Sequence, residues 1–292
     1  MHFHSYKGIC CICGAIATTR EHRHKKSDVK REFGQQFTNS SPTVYRDGKQ
    51  IPIQGPDSKY LKYEEQNLCQ DCNTGLSSEM DRAYTLLQDY ATKNKSLESP
   101  TSHIQFSKAF GPDFLPRKSH FLRYVAKYAC CRLAEGSVQI PEALTQFVRG
   151  NVSELTQCTV HSFHRLDIWE MNRLAQRGLG VEYPVLEALP FCRFGPDATN
   201  PDAVSSGFVA GEIEFRFLVA PSISEKSFPG LSAYHSASTW PLCPLFSVDT
   251  EFAPILSKAG IPAQPQISWN EYFEFAHRPE FYKWFLINDS KE

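Results

Sequence analysis

Apolar positions recur at three- and four-residue intervals between Asn73 and about Lys93: Leu76, Met80, Ala83, Tyr84, Leu87 and Ala91. That spacing lines one face of a 3.6-residue turn and predicts a helix. Phe121–Leu133 is apolar enough for a second helix, with basic residues at its edge. Pro141–Val148 opens on a proline suited to a first helical turn, and Ile168–Arg177 reads as a further helix. From Phe208 to Ala220 the period changes to two. Phe208, Ala210, Glu212 and Glu214 alternate with Val209, Ile213, Phe215 and Phe217, which predicts a long strand or hairpin arm. Tyr45-Arg46-Asp47-Gly48-Lys49 sets Asp-Gly between alternating residues, a hairpin signal. Trp269–Ile287 reads as partly helical, and Trp169, Trp240, Trp269 and Trp284 as core anchors. Lys95–Pro116 is rich in Ser, Thr, Pro and Gly and predicts a linker or loosely packed connection. The pattern as a whole is α+β. It divides into residues 1–95, a connection over 96–116, and a mixed, helix-rich α+β region over 117–292.

Composition narrows this picture. A chain of 292 residues makes one large or two medium domains and can bury a core without disulfides. Its formal charge of −1 rules out a uniformly basic binder, so any nucleic-acid argument rests on local clusters. No apolar run approaches the roughly 20 residues that span a bilayer, so no membrane partner is expected. Met1-His2-Phe3-His4-Ser5-Tyr6-Lys7 lacks an apolar signal core. Ten cysteines occur, and four of them have metal spacing, so a reducing, cytoplasmic setting is expected.

Those four are Cys10, Cys13, Cys69 and Cys72, two Cys-x-x-Cys pairs. Each tight turn presents two thiolates on one side, and two turns complete the tetrahedron that Zn²⁺ prefers. Gly14 suits the sharp turn after Cys13. A zinc held by four cysteines has no open position, so its expected role is structural. Cys11 reads as a bystander. Cys130, Cys131, Cys158, Cys192 and Cys243 read as buried, inert thiols.

Between the pairs lies Thr19-Arg20-Glu21-His22-Arg23-His24-Lys25-Lys26-Ser27. The second pair stands in Asn67-Leu68-Cys69-Gln70-Asp71-Cys72-Asn73, with Asp81 eight residues on. Over about residues 8–85 this order resembles the HNH endonucleases, in the subgroup that carries a four-cysteine zinc site and ends its motif in Asn. The resemblance implies a ββα-metal unit that hydrolyses DNA phosphodiester bonds, with RNA as a second candidate substrate. It implies that His22 is the general base and that Glu21 and Asn73 hold a divalent ion. Asn67 matches a residue that holds the loop between the strands. His24 and Asp81 are supporting candidates, His24 because it shares a strand face with His22.

The chemistry of these residue types agrees. Imidazole has a pKa near neutrality and can take a proton from water. Oxygen ligands suit Mg²⁺, with Mn²⁺ a natural substitute. Adjacent strand residues face opposite ways, so Glu21 and His22 share a site only at a strand end or distortion. Asn73 just before a helical run is equally a favoured N-cap. Arg20, Arg23, Lys25 and Lys26 are expected to contact phosphates, Lys26 first among them.

Residues 100–292 carry no recognised motif. His161 and His164 are spaced for one helix face and read as packing or surface histidines. This region is a candidate site for a protein partner or an activating signal. A symmetric homodimer would set two single-strand cutters on one duplex. Two rival readings remain: a non-catalytic zinc module that binds nucleic acid, and a protein–protein adaptor.

Overall fold

A computed structural model describes residues 5–35, 37, 43–46, 49–93, 103–154, 157–176, 186–188, 192–194, 203–220, 239–241 and 243–245. The expected helical tail Trp269–Ile287 lies outside the described residues, as do Trp284 and the 95–102 part of the expected connection.

The chain opens with a turn-rich segment through residue 25 and helix α1 (Lys26–Phe33). Strands β1 (Thr43–Arg46) and β2 (Lys49–Pro52) then pair antiparallel, with Arg46 opposite Lys49. A 3₁₀ turn (Lys59–Leu61) and a π-helical turn (Asp71–Gly75) lead into α2 (Ser78–Lys93). The predicted 3.6-residue stripe is what α2 buries: Met80, Ala83, Tyr84 and Leu87 are each 3% exposed or less. Full burial of one such side chain stabilises by about 1.5–3 kcal/mol.

Residues 103–110 pack more tightly than their composition predicts. Strand β3 (His103–Gln105) and helix α3 (Phe106–Phe110) bury Ile104, Phe106 and Phe110. The phenylalanines and the isoleucine are too widely spaced in a polar segment to register as an apolar run. Helix α4 (Phe114–Glu135) follows and is buried on nearly every side from Phe121 to Leu133. Its basic residues are not confined to an edge, since Lys118, Lys127 and Arg132 are all buried. Helix α5 (Glu142–Arg149) closes on Gly150, whose φ of 80° gives the left-handed conformation that ends a helix cheaply.

The C-terminal region builds a six-stranded, mostly antiparallel sheet. Its strands are β4 (Cys158–Arg165), β5 (Leu186–Ala188), β6 (Cys192–Phe194), β7 (Ala203–Ala210), β8 (Ile213–Val219) and β10 (Cys243–Leu245). Helix α6 (Leu166–Gln176) follows β4, and β9 (Thr239–Pro241) pairs with β3. The spatial order is β10-β4-β8-β7-β5, with β6 also on β7 and β10 parallel to β4. The segment 208–220 thus forms the end of one strand and all of the next, turning at Gly211-Glu212. His161 and His164 lie in strand β4 rather than on a helix, so their side chains face opposite ways. His161 Nε2 is 3.1 Å from Thr159 Oγ1, and His164 Nε2 is 3.3 Å from Glu212 Oε2.

Helix α4 joins the two halves. Tyr124 stacks on Tyr84 of α2, with ring centroids 4.3 Å apart. Phe121 meets Phe215, and Tyr128 meets Phe208, edge-on at 5.2 and 5.0 Å. One apolar cluster runs without a break from Cys10 through α2 and α4 to Val219. A smaller cluster of Val29, Ile53 and Leu61 sits under α1 and the hairpin. Among the described residues no helix is long and apolar enough to cross a membrane.

Candidate functional site

The cysteine pairs meet. The four Sγ atoms of Cys10, Cys13, Cys69 and Cys72 lie within 4.8 Å of one another, and Cys13 is 3.6 Å from Cys69. A tetrahedron with Zn–S bonds of about 2.3 Å has edges of about 3.8 Å, so the four could hold a metal ion of that size. The backbone sets them in place. The Gly14 N–H donates to the Cys10 carbonyl, with Gly14 at φ 77°. The Cys11 N–H donates to the Asn67 carbonyl at 2.9 Å, which ties one knuckle to the other segment. The Cys72 N–H points at Cys69 Sγ from 3.4 Å and draws that thiol's pKa down. Cys11 stands outside the four, its Sγ 4.0 Å from that of Cys131 on α4.

Beside this centre, residues 18–23 run antiparallel to 61–68. Isolated bridges pair Thr19 with Leu68 and His22 with Lys62. Between those bridges one strand advances from 19 to 22 and the other from 62 to 68. The surplus bulges out as the exposed residues Glu64, Glu65 and Gln66. Asn67 spans the distortion. It is buried, and its Oδ1 accepts from the Glu21 backbone N–H at 3.1 Å.

His22 faces its cross-strand partner Lys62 at this bulge. Its Nε2 is buried and has no hydrogen-bond partner among the described residues. Burial is the first reason its pKa falls, to about 4. The positive charges of Lys62, Lys26 and Lys127 add to the drop, and Asp57 opposes it. His22 is therefore a neutral imidazole at pH 7. Burial, followed by Arg23 and Arg132, holds His24 at about 4 as well.

Glu21 and Asn73 each have a different partner. The Asn73 Nδ2 donates to Thr19 Oγ1 at 3.1 Å, and that hydroxyl donates on to the Leu68 carbonyl. Asn73 lies inside the π-helical turn ahead of Ser78, so it is not the N-cap of α2. The Glu21 carboxylate instead accepts from Lys127 Nζ at 3.0 Å. Asp81 lies on the far side of that ammonium, with Oδ1 at 3.8 Å. The expected pair is split between two neighbouring contacts.

The basic run divides as well. Arg20 is exposed, and Lys26 reaches Asp57 at 2.6 Å on the outside. Arg23 turns inward to Glu135 of α4 and stacks on Tyr63, its guanidinium 5.5 Å from the ring centroid. Lys25 turns inward too, to the Asp81 carbonyl and Thr85 Oγ1, over the Tyr84 ring. Lys62, Thr19 and Lys127 are the neighbours that reading the sequence misses. Lys127 leaves one trace in the sequence, a charge inside an apolar helical run.

Comparison of the chain with protein-family models, with curated proteins and with solved structures found no match.

Proposed function

We propose that this chain is a nuclease of the HNH type that hydrolyses phosphodiester bonds in DNA, with His22 as general base and a structural zinc on the four cysteines. The observation that carries the reading is the state of His22. It is neutral, it lies at a strand distortion beside Lys62 and Lys26, and its Nε2 has no partner among the described residues. A buried polar atom without a partner calls for an explanation, and a nitrogen reserved for a water proton supplies one. The resemblance of residues 8–85 to the HNH nucleases supports the same role.

In this reading Arg20, Lys26 and Lys62 neutralise the phosphate backbone, and Lys26 exchanges Asp57 for a phosphate oxygen. His22 takes the proton as water attacks phosphorus and the P–O bond to the leaving oxygen breaks. Asn67 keeps the bulge that lets Glu21 and His22 share one end of the strand. Asn73, through Thr19, braces the second knuckle against the first strand. The cysteine centre supplies no chemistry, because four thiolates close a zinc ion to substrate.

Plasmid nicking by purified protein in Mg²⁺ or Mn²⁺ tests this. His22→Ala is expected to slow nicking by about 10²–10⁴-fold, the usual contribution of a positioned base. Equal nicking by both proteins would end the catalytic assignment. A second reading, a zinc module that binds nucleic acid without cutting it, is favoured by the engagement of Glu21 with Lys127 and of Asn73 with Thr19. It predicts salt-sensitive binding with no strand breaks.

A further inference from the structure

The resemblance places a divalent ion at Glu21, yet the side chain against its carboxylate belongs to a distant helix. Lys127 Nζ lies 3.0 Å from Glu21 Oε1 and 3.8 Å from Asp81 Oδ1, and the Lys127 side chain is only 2% exposed. Its ammonium also stands 5.6 Å from the centre of the Tyr124 ring. The stem is built into α4, the helix that packs on both α2 and the sheet, so this charge cannot swing freely into solvent. A second cation, Lys25, lies 3.9 Å from the same Asp81 carboxylate.

We infer that Lys127 is the cation Glu21 carries in this fold, and that a divalent ion reaches Glu21 only by displacing it. The inference rests on the proposed role of the Glu21-His22 segment and corrects its ligand set. An ammonium at hydrogen-bonding distance uses the lone pairs an ion would need. Its charge also opposes a second cation nearby, in surroundings where screening is weak. Ion occupancy at Glu21 is thereby coupled to the position of α4, and through α4 to the C-terminal sheet. Lys127 is a positioning residue in this scheme. It sets what Glu21 can bind and touches no substrate.

The test is direct binding of Mn²⁺ to the full-length, zinc-loaded protein, followed by the electron paramagnetic resonance signal of free Mn²⁺. Lys127→Gln removes the charge and keeps a hydrogen-bond donor. It is expected to tighten Mn²⁺ binding by roughly ten-fold or more over wild type. Lys127→Arg keeps the charge and is expected to stay at the wild-type level. Adding Glu21→Gln to Lys127→Gln is expected to abolish the gain. Thermal unfolding and zinc content check each variant, and Lys127→Met replaces Lys127→Gln if that variant folds poorly.

Mn²⁺ binding no tighter in Lys127→Gln or Lys127→Met than in wild type overturns the inference. So does a gain that survives Glu21→Gln, or an equal gain in Lys127→Arg. Because the readout is binding, its failure leaves the nicking result with His22→Ala standing. A chain that never nicks can still pass it.

Discussion

His22 sits where its charged form is disfavoured from several sides at once. Burial removes water from the ring, and Lys62, Lys26 and Lys127 surround it with like charge, which outweighs Asp57. The sign of the consequence is definite. With the pKa lowered to about 4, the base form is the populated one across the neutral and mildly acidic range. A nuclease that uses this base should hold its rate from pH 7 to about pH 5 and lose it only below. The acid limb of the pH–rate profile checks this, together with an NMR titration of the His22 ring. A limb near 6.5, the value of a free imidazole, would show that the ring is solvated during turnover. Glu21, next along the chain, meets the opposite surroundings. Its carboxylate is held 3.0 Å from the Lys127 ammonium.

At the scale of elements, α4 is held on its other side by the β7–β8 hairpin. Gly207 stands opposite Arg216 in that ladder, and its carbonyl accepts from the Tyr128 hydroxyl at 3.1 Å. A Cβ on residue 207 would lie 2.0 Å from the Phe215 carbonyl oxygen, on backbone that cannot step aside. Gly207→Ala is therefore expected to cost more than about 2 kcal/mol, through a forced opening of the hairpin. Chemical denaturation checks this. A variant within about 0.5 kcal/mol of wild type would mean that the sheet yields more easily than this packing implies. Because Tyr128 and Lys127 are neighbours on α4, a displaced hairpin should also loosen the Lys127–Glu21 pair.

For the whole molecule, the decisive fact is that the cysteine centre and the sheet share one apolar cluster. Cys10, Cys11 and Cys72 pack in the same continuous core as Tyr84, Phe121, Cys131 and Phe217. Ile104, Phe106 and Phe110, in a segment whose composition marks it as a connection, lie inside that core. A metal on the four cysteines would therefore stabilise more than the knuckles. Stripping it with a strong chelator, or substituting Cys69→Ser, is expected to lower the melting temperature of the full chain as one transition. Scanning calorimetry would show this. A separate low-temperature transition, with the rest unchanged, would mean that the N-terminal unit unfolds alone.

Local signals carried much of this protein into view. The Cys-x-x-Cys spacing placed four thiols within reach of one another, because each knuckle is fixed by its own few residues. The stripe from Leu76 to Ala91 made α2, the hairpin signal near Tyr45 anticipated the pairing of β1 with β2, and the alternation after Phe208 made the arms of β7 and β8. Each depends on a period or a turn that a short stretch imposes on itself. The periodicity of 158–165 is too weak to exclude a helix, and only pairing with β8 and β10 makes it a strand.

What decided the site lies farther apart in the chain. Glu21 and Lys127 are separated by 106 residues, and no local pattern ties a carboxylate in a knuckle segment to a lysine in an apolar helix. The inward turn of Arg23 to Glu135 and the diversion of Asn73 to Thr19 have the same origin. They depend on where α4 comes to rest against α2 and the sheet, which is set by the packing of many side chains at once. The sequence alone determined which residues could do the chemistry. Tertiary packing decided which charge each of them faces, because burial and a neighbour within about 4 Å govern an ionisable group more strongly than its identity does.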